Sequence, residues 1–217
     1  MIEAKGLNKF FGQIHVIKDL DIKIRQGEIV SIVGPSGAGK STLLQLLGTI
    51  EKADSGTIAY NNQEISAFST KQIDSFRNTT IGFVFQFHHL LSEFSALENA
   101  AMPLLIGKKK KSEAFERSKK LLDLLGLSNR LNHKPNQLSG GEQQRVAVAR
   151  ALANKPRVIY ADEPSGNLDT ENANELHQLF FDLNQELGQT FVIVTHNKQL
   201  AQQSHRTLLM KDGMLIK

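Results

Sequence analysis

The chain has 217 residues, 40% hydrophobic and 22% charged, with no cysteine and a net charge of +4. That balance suits one ordinary globular domain with room for a subdomain, and leaves no disulfide or thiolate metal site. No apolar run reaches the about 18 residues that a membrane-spanning helix needs, and the start Met1-Ile2-Glu3-Ala4-Lys5-Gly6 lacks a signal peptide's apolar core, so a cytoplasmic protein is expected. The small excess of positive charge suits an anionic ligand, an acidic membrane face or nucleic acid. Its one cluster is Lys108, Lys109, Lys110 and Lys111, ordinarily a solvated loop and otherwise membrane-facing.

Residues 2–24 are predicted to be strands. Ile2, Ala4 and Leu7 lead to Phe10 and Phe11, then Leu20, Ile22 and Ile24 alternate with Asp21, Lys23 and Arg25. Phe10 or Phe11 offers an aromatic face for a nucleobase, the alternative being core packing. Gly27 turns the chain into a buried strand over 28–33. The loop Gly34-Pro35-Ser36-Gly37-Ala38-Gly39-Lys40-Ser41-Thr42 follows, and then a buried helix that Gly48 ends.

That loop fits the phosphate-binding pattern, with Gly34, Gly39, Lys40 and Ser41 in the required places. Glycines let several N–H groups point into one concavity, and the following helix adds its positive end. Lys40 is expected between β- and γ-phosphates, Ser41 on Mg²⁺ and Thr42 at the α-phosphate. A glycine-rich turn with a surface lysine is the plain alternative; the flanking strand and helix speak against it.

Further on, a turn at 54–56, a strand over 57–60, a turn at Asn61-Asn62 and a polar helix over 70–77 are predicted. A buried strand over 81–85 ends at Gln86, where an amide can reach a metal ion or water at the sheet's C-terminal edge. Residues 87–155 are mostly helical. A helix over 95–101 should stop before Pro103, and Ser112 should cap a helix through Leu125, with Gly126 as the stop. In Leu138-Ser139-Gly140-Gly141-Glu142-Gln143-Gln144-Arg145, Ser139 and Glu142 have the spacing of a capping box. The two glycines at that helix start also expose N–H groups, a second phosphate site.

A strand over 158–162 ends in Asp162, a carboxylate placed to hold Mg²⁺, and Glu163 beside it is the candidate general base. Two adjacent acids are often only a solvated turn; the upstream phosphate loop argues for function. Asp169 should cap a helix to about residue 187, and a strand over 191–195 ends at His196, whose imidazole can bond a γ-phosphate oxygen. Residues 208–216 read as a hairpin around Lys211-Asp212-Gly213.

Together these motifs resemble those of the ATP-binding-cassette ATPases, across essentially the whole chain. The family's Walker A loop, Q-loop, signature, Walker B, D-loop and H-loop fall, in that order, on 34–42, Gln86, 138–144, 158–163, 165–169 and His196. The resemblance implies an α/β P-loop NTPase fold: a mixed-sheet core, an antiparallel β subdomain and a helical subdomain. Residues 1–86 and 156–217 would form the core and β subdomain, and 87–155 the helical one.

It further implies ATP and Mg²⁺ as ligands, with Ser41, Gln86 and Asp162 at the metal and Glu163, Gln86 and His196 in catalysis. Phe11, residues 34–42, Ser139, Gly140, Gly141 and Asp169 would bind nucleotide. Phe11 stands where the family often has tyrosine. A homodimer with ATP at its interface is implied, with Ser139 and Gly141 acting in trans.

Within the family, the chain is most similar to small cassettes of lipoprotein release, macrolide export and cell division, and among these to the first. Residues 87–104 resemble the segment that faces membrane permease subunits, although proline is common where Ser92 stands. A peripheral place on the cytoplasmic face of the inner membrane follows from that resemblance. A cassette protein acting on ribosomes or nucleic acid usually has two cassettes or a long coiled-coil insertion; this chain has neither, so no nucleic-acid partner is expected. The lysine run has no counterpart in the resemblance.

Overall fold

The computed structural model describes residues 1–216. In chain order the elements are β1 (Ile2–Phe11), β2 (Ile14–Ile24), β3 (Ile29–Val33), α1 (Lys40–Leu47), β4 (Ser55–Tyr60), β5 (Gln63–Glu64), α2 (Thr70–Thr80), β6 (Ile81–Phe85) and α3 (Ala96–Ile106). Then come α4 (Lys111–Leu124), α5 (Gly140–Leu152), β7 (Val158–Asp162), α6 (Thr170–Leu187), β8 (Thr190–Val194), α7 (Lys198–Gln203), β9 (Arg206–Lys211) and β10 (Met214–Ile216). The chain divides into two compact units, residues 1–74 with 183 onward, and residues 75–182.

The first unit holds an antiparallel sheet in the order β2-β1-β4-β5. Its alternation is that of a sheet with one covered face: Ile2, Ala4 and Leu7 are buried, and Ile22 and Ile24 lie across from Ala4 and Ile2 on β2. A second, mixed arrangement has β3 parallel to both β8 and β9, with β10 antiparallel to β9. Nearly every residue of β3 and all of β8 are buried, which explains their uninterrupted apolar runs. The β9–β10 turn carries Asp212 at φ 49° and Gly213 at φ 85°, the two left-handed residues that a tight hairpin requires.

In the second unit β6 runs parallel to β7, from Ile81 opposite Val158 to Phe85 opposite Asp162. Helix α5 buries Val146, Ala147, Val148, Ala149 and Leu152. A Cβ on Gly82 would stand 2.7 Å from the Ala151 carbonyl oxygen, so only glycine on β6 lets α5 approach this closely.

Three helix boundaries differ from the expectation, and α7 was not expected. Helix α2 runs on to Thr80 rather than ending at residue 77. Helix α3 does not stop before Pro103 but continues to Ile106. Proline withholds one N–H from the ladder, and the helix end is held instead by Gly107 N and Asn154 Nδ2, which both donate to the Pro103 carbonyl at 3.0 and 3.1 Å. Helix α4 is not capped by Ser112. It begins at Lys111 with Lys110 as its N-cap and no side-chain bond there. The cause lies in the preceding turn: Lys108 N returns to Leu105 O and Lys109 N to Leu104 O, so only Lys110 remains extended before the next helix.

Candidate functional site

Strand β3 delivers the phosphate loop and α1 receives it. Gly34, Gly37 and Gly39 have φ of 153°, 78° and 98°. The first is also crowded: a Cβ on Gly34 would lie 2.0 Å from the Met210 carbonyl oxygen, and one on Gly39 3.0 Å from Val16 O. Helix α1 opens on Gly39 with no side-chain cap and no acidic residue in its first turn. An α-helix leaves its first N–H groups without intrahelical partners, so this end is chemically suited to an anion. Lys40 is nearly buried, and its ammonium donates to Gly34 O and Pro35 O, both at 2.9 Å. The charge is thus held against the loop itself. Ser36 and Ser41 are exposed, Thr42 is half-buried and Ala38 is buried, its carbonyl accepting from Gly213 N.

The aromatic pair resolves into two jobs, and neither is core packing. Phe10 and Phe11 are 45% and 46% exposed. Phe10 stacks on His15 with 4.0 Å between ring centroids, so one of its faces is taken. Lys9 Nζ lies 5.2 Å from the Phe11 ring centroid, a cation over one face. Among the described residues no ring stacks on Phe11. His196, exposed, directly follows β8 and Thr195.

In the second unit the ends of β6 and β7 bring Gln86 and the acidic pair together. Phe85 lies opposite Asp162, and Gln86 and Glu163 follow them. Gln86 Nε2 donates to Asn167 Oδ1 at 2.9 Å, and Asn167 Nδ2 returns a bond to Gln86 O at 3.2 Å. That exchange uses the amide nitrogen and leaves Oε1, the atom a cation needs, outside the pair. A Cβ on Gly166 would meet Gln86 Nε2 at 2.9 Å, so the glycine keeps this contact open. Glu163 has φ 45°, an uncommon conformation for a residue with a side chain and one that recurs at functional positions. Among the described residues no three His, Asp or Glu side chains gather as a metal cage. A P-loop Mg²⁺ needs no such cage, because it draws on one hydroxyl, one carboxylate and phosphate oxygens. Ser41 and Asp162 are the right donor types.

The signature forms the expected capping box at the start of α5. Ser139 Oγ accepts from Glu142 N at 3.2 Å, and Glu142 Oε2 accepts from Ser139 N at 2.7 Å. The Ser139 backbone bond, and then Arg130 at 2.7 Å, hold the Glu142 carboxyl below the usual range, so it stays anionic. Ser139 and Gly140 are exposed and Gly141 is buried. A Cβ on Gly141 would stand 2.4 Å from Asn172 Oδ1. Asn172 in turn donates to both oxygens of Asp169, from its backbone at 3.0 Å and its side chain at 2.6 Å. Those bonds lower the Asp169 pKa and make it the cap of α6. Asn172 therefore packs close against the signature glycine while it bonds the D-loop acid.

Three residues to which motif reading gave no role of their own hold these pieces in place. Gln144, fully buried, donates from Nε2 to Phe85 O at 3.2 Å and Pro164 O at 2.7 Å, tying the signature helix to both strand ends. Arg150 donates to His88 O and His89 O, each at 2.7 Å, fixing the chain just after Gln86. Burial, with Arg150 nearby, pushes the His88 pKa down, so this ring is neutral. Asn99, 1% exposed on α3, folds the segment before it: Oδ1 accepts from Leu91 N at 2.8 Å, and Nδ2 donates to the carbonyls of Leu91, Phe94 and Ser95 at 3.0–3.1 Å. Its signal in the sequence is a lone amide among Ala96, Ala100, Ala101 and Leu104. Asn99→Ala removes these partners from part-buried backbone groups and should cost about 3 kcal/mol. A urea titration checks this; a midpoint equal to that of the wild type would make the clamp energetically idle.

The wider likenesses agree with this architecture. A model of the ABC transporter family matches residues 17–166. The chain is 57% identical over 217 residues to the lipoprotein-releasing system ATP-binding protein LolD of Bacteroides thetaiotaomicron, covering 100% of both chains. It is 56% identical over 216 residues to the same-named protein of Cytophaga hutchinsonii, covering 100% of this chain and 99% of that one. Among solved structures it superposes on the dimeric bacterial ABC transporter cassette MJ0796 with a TM-score of 0.91 and 40% identity, over 100% of this chain and 97% of that one. The post-hydrolysis dimer of MJ0796 bound to ADP and Pi gives a TM-score of 0.90 at 39% identity, with the same coverage. With the motifs in family order, their backbone supports built and the likeness running end to end, the chain belongs to the ABC transporter family, as an ATP-binding cassette with that family's fold.

Proposed function

We propose that this chain binds and hydrolyses ATP as the motor subunit of a membrane complex that releases lipoproteins from the inner membrane. The observation that carries the reading is identity of 50–57% with lipoprotein-releasing ATP-binding proteins over nearly their whole length, from Bacteroides to Idiomarina loihiensis. Residues 34–42 hold the triphosphate: the glycine backbone and the uncapped start of α1 supply N–H donors, and Lys40 supplies charge. Phe11 gives the base a stacking face. Ser41, Asp162 and Gln86 hold Mg²⁺, whose chemistry is to neutralise charge developing on the phosphates. Glu163 accepts the proton of the attacking water, and Gln86 and His196 orient the water and the terminal phosphate. Ser139, Gly140 and Gly141 serve the nucleotide of a second copy in a homodimer, and Asp169 sets the D-loop beside them.

On this reading the protein is peripheral, on the cytoplasmic face of the inner membrane, and its motion reaches permease subunits through residues 87–104. Phe87, Leu91 and Phe94 are exposed there, apolar side chains that a partner would cover. Capture of the tagged chain from detergent-solubilised membranes of its own cell tests the assignment. A permease with a large domain beyond the membrane should co-purify, and Phe87→Ser should weaken its capture. A partner lacking such a domain, or none retained, would contradict lipoprotein release.

A further inference from the structure

The turn between α3 and α4 breaks three local rules with the same residue type. Lys108 has φ 61°, a left-handed position that favours glycine or asparagine. Lys110 is the N-cap of α4, where a side-chain acceptor is preferred, and it makes no capping bond. Lys110 and Lys111 place positive charge at the positive end of that helix. At Lys108 and Lys110 no packing compensates, because both are exposed. A local choice that weakens its own structure without a structural gain points to a role outside it.

Charge concentrates here. From Ile106 to Lys120 stand six lysines and Arg117 against Glu113 and Glu116, a net +5 in a chain of net +4, which leaves −1 for all other residues. Arg117 is turned onto the Ala153 and Leu152 carbonyls, so the lysines make the exposed charge. Lys109 pairs with Glu113 at 3.5 Å, and Lys111 lies over Phe115 and near Glu98. Lys108 and Lys110 form no ion pair with a described residue. Beside them Ile106 is 65% exposed. A short basic turn around one apolar side chain has the make-up of an interfacial contact, in which cations meet anionic headgroups and the apolar group enters the boundary. A nucleic-acid groove would need a longer basic track and stacking rings.

We propose that Ile106 and the lysines at 108–111 bind anionic phospholipid headgroups, a membrane contact independent of any permease. The proposal takes its membrane from the function proposed above, but its test uses the purified chain without partner or nucleotide, so the two can fail separately. In co-sedimentation at low salt, the chain should bind vesicles of phosphatidylcholine mixed with phosphatidylglycerol, and bind phosphatidylcholine alone much less. Lys108→Gln with Lys110→Gln should weaken binding about 25-fold, roughly fivefold per lysine, and added salt should do likewise. ATP turnover should stay at the wild-type rate. Ile106→Ser should weaken binding to the anionic vesicles while leaving its salt dependence intact. Equal binding to both vesicle types, or anionic binding unchanged in the double-lysine variant, would overturn the proposal. So would a double variant that loses RNA binding alone.

Discussion

Glu163→Gln should leave ATP affinity intact and lower turnover by about 10²–10⁴-fold, the usual worth of a positioned general base. The change keeps shape and removes only the ability to take a proton. Position matters as much as chemistry. The parallel register of β6 and β7 sets Phe85 opposite Asp162, so the two residues that follow, Gln86 and Glu163, leave neighbouring strands at the same level. The φ of 45° at Glu163 turns the chain immediately after the strand. Asn167 holds the Gln86 amide, Gly166 leaves room for it, and Gln144 ties Phe85 and Pro164 to α5. Phosphate release at saturating ATP, beside a nucleotide-binding titration, separates the two effects. Turnover at the wild-type rate would remove Glu163 from the chemistry. Loss of binding as well would give it a structural duty instead.

Lys40→Ala should have the second large effect, on binding rather than on turnover. A charged donor to a phosphate contributes about 1.5–3 kcal/mol, so ATP affinity should drop by about a hundredfold. The fold should survive. Among the described residues the lysine bonds the carbonyls of half-buried Gly34 and exposed Pro35, acceptors that water can take over. Fluorescent-nucleotide titration measures the loss, and circular dichroism the retained structure. Unchanged affinity in a folded variant would mean that the ammonium only braces the loop.

Most of the fold was legible because its signals are local. The strands at β3, β6, β7 and β8 are short apolar runs bounded by glycine, polar or acidic residues, and each was found within a residue of its observed ends. The phosphate loop and the Ser139–Glu142 capping box depend on spacing alone, so they too were readable. The misread boundaries of α3 and α4 were set by backbone bonds from outside the local pattern. Pro103 reads as a stop, but Asn154, from beyond α5, helps to hold the helix end past it. Ser112 reads as a cap, but the closing bonds of the turn after α3 put Lys110 there. The supporting residues of the site were invisible for the same reason. Gln144 acts on backbone 59 and 20 residues away, and Arg150 on backbone 61 and 62 residues away, separations that no spacing rule encodes.

The account turns on ATP joining two copies, with the signature of one serving the nucleotide of the other. Analytical ultracentrifugation of the Glu163→Gln variant tests that most directly. Without nucleotide the chain should sediment as a 24.1 kDa monomer, and with saturating Mg-ATP as a species of twice that mass. ADP should not produce the change, and neither should ATP when Ser139→Phe is added to the variant. A species that stays monomeric with ATP bound, or a dimer indifferent to both nucleotide and Ser139, would contradict it.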